Sequence, residues 1–333
     1  MRICVVGAGA IGGMLGVKLA LTGHEVSLIL RGANLDAVRQ EGMKLIEEDG
    51  RELTARPARA TSVIADAGVQ DVVILGMKAH QVGAVAAELP ALMHAGTRVI
   101  TMQNGIPWWY FHKLPGDWEG MPVRAVDPDG VIAQHIDVDR VIGSVVCPAS
   151  EVIRPGVIKV IEGNRFTLGE LDGNDTESIR EIADAFKAAG FKAPISRDIR
   201  SEIWLKVWGN LSFNPISALT HATLEDICLY APTRELAAAM MREAQTIGEA
   251  LGVQFKVSLE KRIAGAQAVG QHKTSMLQDV EQGRPLELQA LVAAVMELGR
   301  ITHKPTPTID AVYALTSLLA TNLRRHRATL RLA

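Results

Sequence analysis

Gly7-Ala8-Gly9-Ala10-Ile11-Gly12 is a G-x-G-x-x-G run set between the apolar stretch Arg2-Ile-Cys-Val-Val6 and a helix-spaced segment from Ala10 to Thr22. Glycines at those places serve a dinucleotide: Gly7 permits the tight turn, Gly9 leaves room for pyrophosphate, and Gly12 lets helix and strand pack closely. Free N–H groups and the helix dipole favour an anion at that helix start. All six residues of the run are therefore expected cofactor contacts. A ligand-free glycine turn is the alternative, and the strand-before, helix-after context argues against it. The end of the next strand selects the dinucleotide. An NAD site places Asp or Glu there for the ribose hydroxyl, but here Leu28-Ile-Leu30 runs into Arg31-Gly32, with no acid until Asp36. Arg31 can grip a 2′-phosphate through charge-assisted hydrogen bonds of about 1.5–3 kcal/mol each. NADP(H) is therefore expected over NAD(H), with a plain surface arginine as the alternative.

Three further stretches carry polar residues in apolar surroundings: Leu75-Gly-Met-Lys78-Ala-His-Gln81, Met102-Gln-Asn104-Gly105, and Glu202-Ile-Trp-Leu-Lys206-Val-Trp-Gly-Asn210-Leu-Ser-Phe-Asn214-Pro215. The first two follow apolar strands, at the carboxyl ends where open α/β sheets bind ligands. In the third, Lys206 and Asn210 are spaced to share one helix face, with Asn214 a turn further on, while Trp204, Leu205, Trp208 and Leu211 take the other faces. A bland alternative makes Glu202 and Lys206 an exposed ion pair and the asparagines packing details.

The elements that must position these groups read as alternating strand and helix. Strands are expected at Arg2–Val6, His24–Leu30, Asp71–Leu75 and Arg98–Met102, with a helical stretch near Val82 to Met93. That βαβ rhythm implies a doubly wound parallel sheet covered by helices. Short strands at Val141–Ile142, Val157–Ile161 and Phe166–Leu168 are expected to extend the same sheet. After a helix near Thr176 to Ala189, Pro194-Ile-Ser-Arg-Asp-Ile199 marks a boundary. Beyond it Glu235–Leu251, Leu286–His303 and Ile309–Leu323 have helical spacing. The expected fold class is α/β, an N-terminal Rossmann-like doubly wound sheet (residues 1–197) followed by a C-terminal all-α domain (198–333), and the 333-residue length suits two domains.

Composition removes several classes of function. A net charge of −2, from 35 Lys and Arg against 37 Asp and Glu, leaves no electrostatic footprint for nucleic acid or an anionic membrane. The one basic cluster, Arg324, Arg325, His326, Arg327 and Arg331, suits a solvated helix end. Cys4, Cys147 and Cys228 are odd in number and far apart, which points away from a disulfide framework or zinc ribbon and towards a reducing compartment. No apolar run approaches a membrane span, and the run Ile3 to Val6 is too short for a signal peptide. A cytoplasmic protein is expected. Asp127-Pro-Asp129-Gly130 and Asp137-Val-Asp139 read as turns rather than metal sites, and no metal is expected.

Taken in order, these residues resemble the ketopantoate reductase (2-dehydropantoate 2-reductase) family over nearly the whole chain. The resemblance rests on Gly7 to Gly12, Arg31, Lys78-Ala-His-Gln81, Asn104-Gly105, and Glu202-Ile-Trp-Leu-Lys206 with Asn210 and Asn214-Pro215. Ser275-Met-Leu-Gln-Asp279 and Gly283-Arg-Pro-Leu-Glu287 complete it. It implies NADPH-dependent reduction of a 2-oxo acid, 2-dehydropantoate or a related branched compound, to the 2-hydroxy acid. Lys206 resembles the catalytic lysine that protonates the ketone oxygen as hydride arrives, a role typically worth about 10²–10⁴-fold. Glu287 resembles the second catalytic residue, which grips the substrate hydroxyl. Ser275 is placed for the substrate carboxylate, Asn210 and Asn214 for its polar groups, and Lys78 and Asn104 for the seam of cofactor and active site. A homodimer is also implied.

The chain departs from the family pattern after Glu287, where Gln289-Ala-Leu-Val292 replaces a second acid and an Asn-Gly pair. His272 stands where Asn is common, and Trp108-Trp109 follow Asn104-Gly105 in a chain with 4% aromatic residues. These changes could reshape the substrate pocket; for the tryptophans, loop packing or a dimer contact is the alternative. Two other readings compete: a related hydroxyacid dehydrogenase with a different substrate, and a non-catalytic NADP-binding sensor.

Overall fold

The structure is a computed structural model that describes residues 1–326 and 328–330. Contacts divide it into two compact units. The first comprises Met1–Gln103, Trp108–Pro122 and Asp129–Ile199; the second comprises Asn104–Pro107, Val123–Pro128 and Arg200–Ala333. The helical unit thus takes two short stretches from within residues 1–197, and the main division falls just after Ile199. Local bonds explain both stretches. Ile106 N–H donates to the Ala290 carbonyl at 2.9 Å, and the Glu297 carboxylate accepts from the backbone N–H of Arg124 at 2.9 Å and of Ala125 at 2.7 Å.

In the first unit the strands are β1 (Arg2–Val6), β2 (Glu25–Ile29), β3 (Met43–Ile46), β4 (Glu52–Ala55), β5 (Arg59–Thr61), β6 (Val72–Leu75), β7 (Arg98–Thr101), β8 (Val141–Val146), β9 (Ala149–Arg154), β10 (Val157–Glu162) and β11 (Phe166–Glu170). Among the described residues, seven of them form one sheet in the order β11-β8-β7-β6-β1-β2-β5. Every pairing is parallel except that of β11 with β8. β1 runs beside both β2 and β6, so the strand order reverses at its carboxyl end, where such sheets bind ligands. The Val-, Ile- and Leu-rich strands are buried on both faces, as a covered parallel sheet requires.

Residues 157–162 do not extend this sheet; β10 joins a second one, β4-β3-β10-β9, pairing parallel with β3 and antiparallel with β9. The helix between the two sheets makes this arrangement work. Helix α1 (Ala10–Leu21) is apolar around its circumference and carries three glycines. Side chains added at Gly12 and Gly16 would strike Val5 and Leu28 of the large sheet, and one at Gly13 would strike Ile158 and Met43 of the small sheet. A helix bare on two faces can be buried on both. Its Lys18 is tied off by Glu47 at 3.0 Å and sits over the Phe191 ring.

Helices α2 (Gly32–Glu41), α3 (Ala79–Val82), α4 (Val131–His135) and α5 (Glu177–Ala188) complete this unit, with Thr176 capping α5. The helical stretch expected near Val82–Met93 is split: α3 ends at Val82, and Ala86–Leu92 is a 3₁₀ turn with Pro90 inside. Proline removes a donor and clashes with the preceding turn, which an α-helix cannot absorb there.

The second unit consists of α6 (Ile199–Thr220, from its second residue), α7 (Leu224–Leu229), α8 (Ala231–Ala250), α9 (Leu259–Ala268), α10 (Ser275–Glu281), α11 (Ala294–Ile301) and α12 (Pro307–His326). One π-helical turn, Gln289–Ala293, leads into α11. Trp208 Nε1 donates to the Met241 carbonyl at 2.7 Å, and Trp204 and Trp208 both pack on Phe255, so α6 is locked against α8 and the loop after it. Arg324, Arg325 and His326 lie in the last turn of α12; Arg327 and Arg331 lie outside the described residues. No helix among the described residues is long and apolar enough to cross a membrane.

Candidate active site

The glycine loop leaves β1 and enters α1 with Gly9 at the N-cap, and no side chain caps that helix end. Each glycine has a separate reason. Gly7 has φ +89°, and a Cβ there would lie 2.9 Å from Met77 Cβ; Gly12 would meet the Gly7 carbonyl oxygen at 2.5 Å. At Gly9 a Cβ would meet nothing within 4 Å. The loop is therefore closed by Gly7 and Gly12 and open over Gly9, where the unpaired N–H groups of the first turn, those of Ala10, Ile11 and Gly12, emerge. Ala8 N–H donates to the Ile29 carbonyl at 3.2 Å, which ties the loop to the end of β2. Arg31 follows that strand as the extended N-cap of α2; it is exposed and its side chain makes no hydrogen bond or ion pair among the described residues. Lys78 caps α3 just beyond β6, its N–H donating to the Gln81 side chain at 3.1 Å. Gln103, which the sequence reading passed over, donates from Nε2 to the carbonyls of Leu75 and Met77 at 2.8 and 3.1 Å. It thereby fixes the carboxyl end of β6 against that of β7.

The second group of residues lies within the helical unit. Ile203, Trp204, Val207, Trp208 and Leu211 of α6 are buried in the core, which leaves Lys206 and Asn210 half-buried on a shared polar face. Asn210 Nδ2 donates to Asn104 Oδ1 at 3.0 Å. One turn further, Asn214 is buried and its Nδ2 stands 3.5 Å from Ser275 Oγ at the start of α10. The Arg284–Asp279 ion pair, 2.7 Å, ties the turn after α10 to the helix, three residues before Glu287. Three residues later Ala290, in the π-helical turn, accepts the Ile106 N–H, and Gly105 (φ +100°) approaches so closely that a Cβ would lie 2.4 Å from the Ala290 carbonyl oxygen. Helix α6 thus carries Lys206 and joins Asn104 through Asn210 and Ser275 through Asn214, while Glu287 stands three residues before Ala290, all within one unit. A π turn beside such a cluster is a frequent mark of a functional site.

Residues 3–113 match the family description "Ketopantoate reductase PanE/ApbA", and residues 198–320 match its C-terminal part. The chain is 54% identical, over 96% of its length and 98% of the relative's, to a 2-dehydropantoate 2-reductase from Mesorhizobium japonicum. The chain belongs to the ketopantoate reductase family. It is an oxidoreductase of the kind that acts on CH–OH groups. Among solved structures, a candidate ketopantoate reductase from Ralstonia solanacearum superposes with a TM-score of 0.91 at 42% identity, covering 97% of this chain and 98% of that one. A 2-dehydropantoate 2-reductase from Methylococcus capsulatus gives 0.81 at 28%, with coverages of 97% and 98%.

Within this reductase the departures from the family pattern fall in three places. Trp108 and Trp109 are both buried; Trp109 Nε1 donates to Thr101 Oγ1 at 2.9 Å and its ring lies against Gly143, while Trp108 meets His112 edge-on. Their surroundings are core packing rather than a wall open to substrate. His272 is half-buried, and its carbonyl accepts the Leu224 N–H at 3.0 Å, joining the loop before α10 to α7. Gln289 is exposed at the first position of the π turn. Asp137 caps a single 3₁₀ turn through the Asp139 N–H.

Proposed function

We propose that this reductase converts a 2-oxo acid, 2-dehydropantoate before other branched acids, into its 2-hydroxy acid with NADPH as reductant. The first unit (about residues 1–197 in sequence terms) holds the dinucleotide and the helical unit (198–333) carries the proton donor. The reading is carried by the polar face of α6, where Lys206 shares its side with Asn210 and Asn214 and each asparagine bonds to a group brought from elsewhere, Asn104 and Ser275.

The open space over Gly9 fits a pyrophosphate, with the N–H groups of Ala10, Ile11 and Gly12 as donors, and Arg31 fits a 2′-phosphate. Lys78 and Asn104 would contact the same cofactor. A bound nicotinamide supplies hydride to the substrate's carbonyl carbon. As that bond forms, the ketone oxygen gains charge. Lys206 Nζ stabilises it and gives it a proton, completing the alcohol. Asn210 and Asn214 orient polar groups of the substrate, Ser275 its carboxylate, and Glu287 accepts a hydrogen bond from its hydroxyl.

Mixing the protein with NADPH or NADH and a panel of 2-oxo acids tests this reading. Oxidation of NADPH with 2-dehydropantoate, and formation of one equivalent of pantoate, is the expected result. Turnover confined to other 2-oxo acids would redirect the substrate, and dinucleotide binding with no turnover would overturn the reductase reading.

A further inference from the structure

Gly209 sits in the interior of α6, where glycine is the poorest helix former after proline. Its place is used by Arg262 of α9: a Cβ at Gly209 would lie 2.4 Å from Arg262 Nη2, 3.0 Å from Cζ and 3.4 Å from Nε. The guanidinium therefore lies against the backbone of α6 itself. On a helix of 3.6 residues per turn, position 209 lies one turn from 206, about 60° round the axis from it. The cation therefore lies against α6 one turn from Lys206.

Arg262 Nε is sealed from solvent without a hydrogen-bond partner, and among the described residues no carboxylate pairs with the guanidinium. Burial holds its pKa below the ordinary arginine value. A desolvated, unpaired cation is costly, and buried charges are ordinarily matched by an anion. Arginine lying along apolar surface usually keeps its head in water; here Nε of the head is sealed.

We infer that Arg262 is a substrate-binding residue that receives the carboxylate of the 2-oxo acid on the Lys206 side of α6. The inference rests on the proposed reduction and adds the group that selects for acids. In a 2-oxo acid the carboxylate is bonded directly to the carbonyl carbon, so an anion receptor must stand close to the proton donor. A guanidinium fork matches a carboxylate in two parallel hydrogen bonds, and Ser275 adds a neutral hydroxyl.

Two variants test this. Arg262→Met keeps the aliphatic stem and removes the charge. Gly209→Ala places a methyl where the guanidinium lies while improving helix propensity, so the folded unit should lose no stability. The readouts are KM and kcat for 3-methyl-2-oxobutanoate and for its methyl ester, Tm, and the Kd of oxalate, an unreactive anion of similar shape. Both variants should raise the acid's KM and the oxalate Kd by about ten- to a hundredfold, with little change for the ester and no fall in Tm for Gly209→Ala. Equal loss on acid and ester, or oxalate binding unchanged in Arg262→Met, would overturn the assignment. Because oxalate binding needs no turnover, it judges Arg262 even if the wild-type protein reduces no 2-oxo acid, a result that would refute the proposed reaction instead.

Discussion

Gly9 and Gly12 lie three residues apart in the same loop, yet substituting alanine at each should have opposite consequences. Gly9 has φ −77°, a value any residue adopts, and a methyl there touches nothing within 4 Å. Gly9→Ala should therefore leave the apo protein as stable as before, or gain about 0.4–1 kcal/mol by restricting the unfolded chain. Its methyl would occupy the space assigned to pyrophosphate. Displacing that group by even a fraction of an ångström should weaken NADPH binding at least about tenfold, which is about 1.4 kcal/mol. At Gly12 the methyl would lie 2.5 Å from the Gly7 carbonyl oxygen and 2.9 Å from Val5 Cγ1. Backbone is not free to retreat, so overpacking of about 1–3 kcal/mol is expected and Tm should fall by several degrees. Thermal denaturation of the apo proteins, with calorimetric titration of NADPH, separates the two. A Gly9→Ala protein that binds NADPH as the wild type does would refute the placement of the dinucleotide over Gly9.

Three other outcomes follow from the geometry. Arg31→Ala should leave Tm unchanged, since the side chain is exposed and bonded to nothing among the described residues, while the preference for NADPH over NADH falls by about one to two orders of magnitude; equal Kd values for the two in the wild type would contradict the NADP(H) reading. Gly105→Ala forces a side chain at φ +100° into the Ala290 carbonyl. It should displace Asn104 and cost about a hundredfold in kcat, measured at saturating substrate, and a near-normal kcat would show that this turn does not position the site. Burial pushes the Cys4 thiol up to about 12 and raises that of Cys228, whereas Cys147 is exposed. Iodoacetamide at about pH 8 should label Cys147 and spare the other two in the folded protein, as mass spectrometry would reveal; equal labelling of Cys4 would contradict its placement in β1.

The large sheet was legible in the sequence because its strands are continuous apolar runs joined by helices of regular spacing, a pattern with few alternatives. The small sheet was not. Met43–Ile46 and Glu52–Ala55 are only four residues each and are interrupted by Lys44, Glu52 and Thr54, and β3 finds its parallel partner in Val157–Lys159, far along the chain. Local pattern carries no trace of such a pairing. The glycine loop and the spacing of Lys206 and Asn210 could be read directly, since both are local. The Asn104–Asn210 bond joins residues 106 positions apart, and only tertiary contact reveals it. Trp108 and Trp109 drew notice by rarity, which measures composition rather than exposure, and the fold buries both. Arg262 reads as an ordinary helix arginine until Gly209 is seen beneath it; a glycine inside a helix was the available sign.

The central claim is that Lys206 protonates the ketone, and steady-state kinetics of Lys206→Ala with 2-dehydropantoate and NADPH tests it most directly. The account predicts kcat lower by at least about a hundredfold with the Kd for NADPH unchanged. Turnover near the wild-type value would contradict it and remove Lys206 from the mechanism.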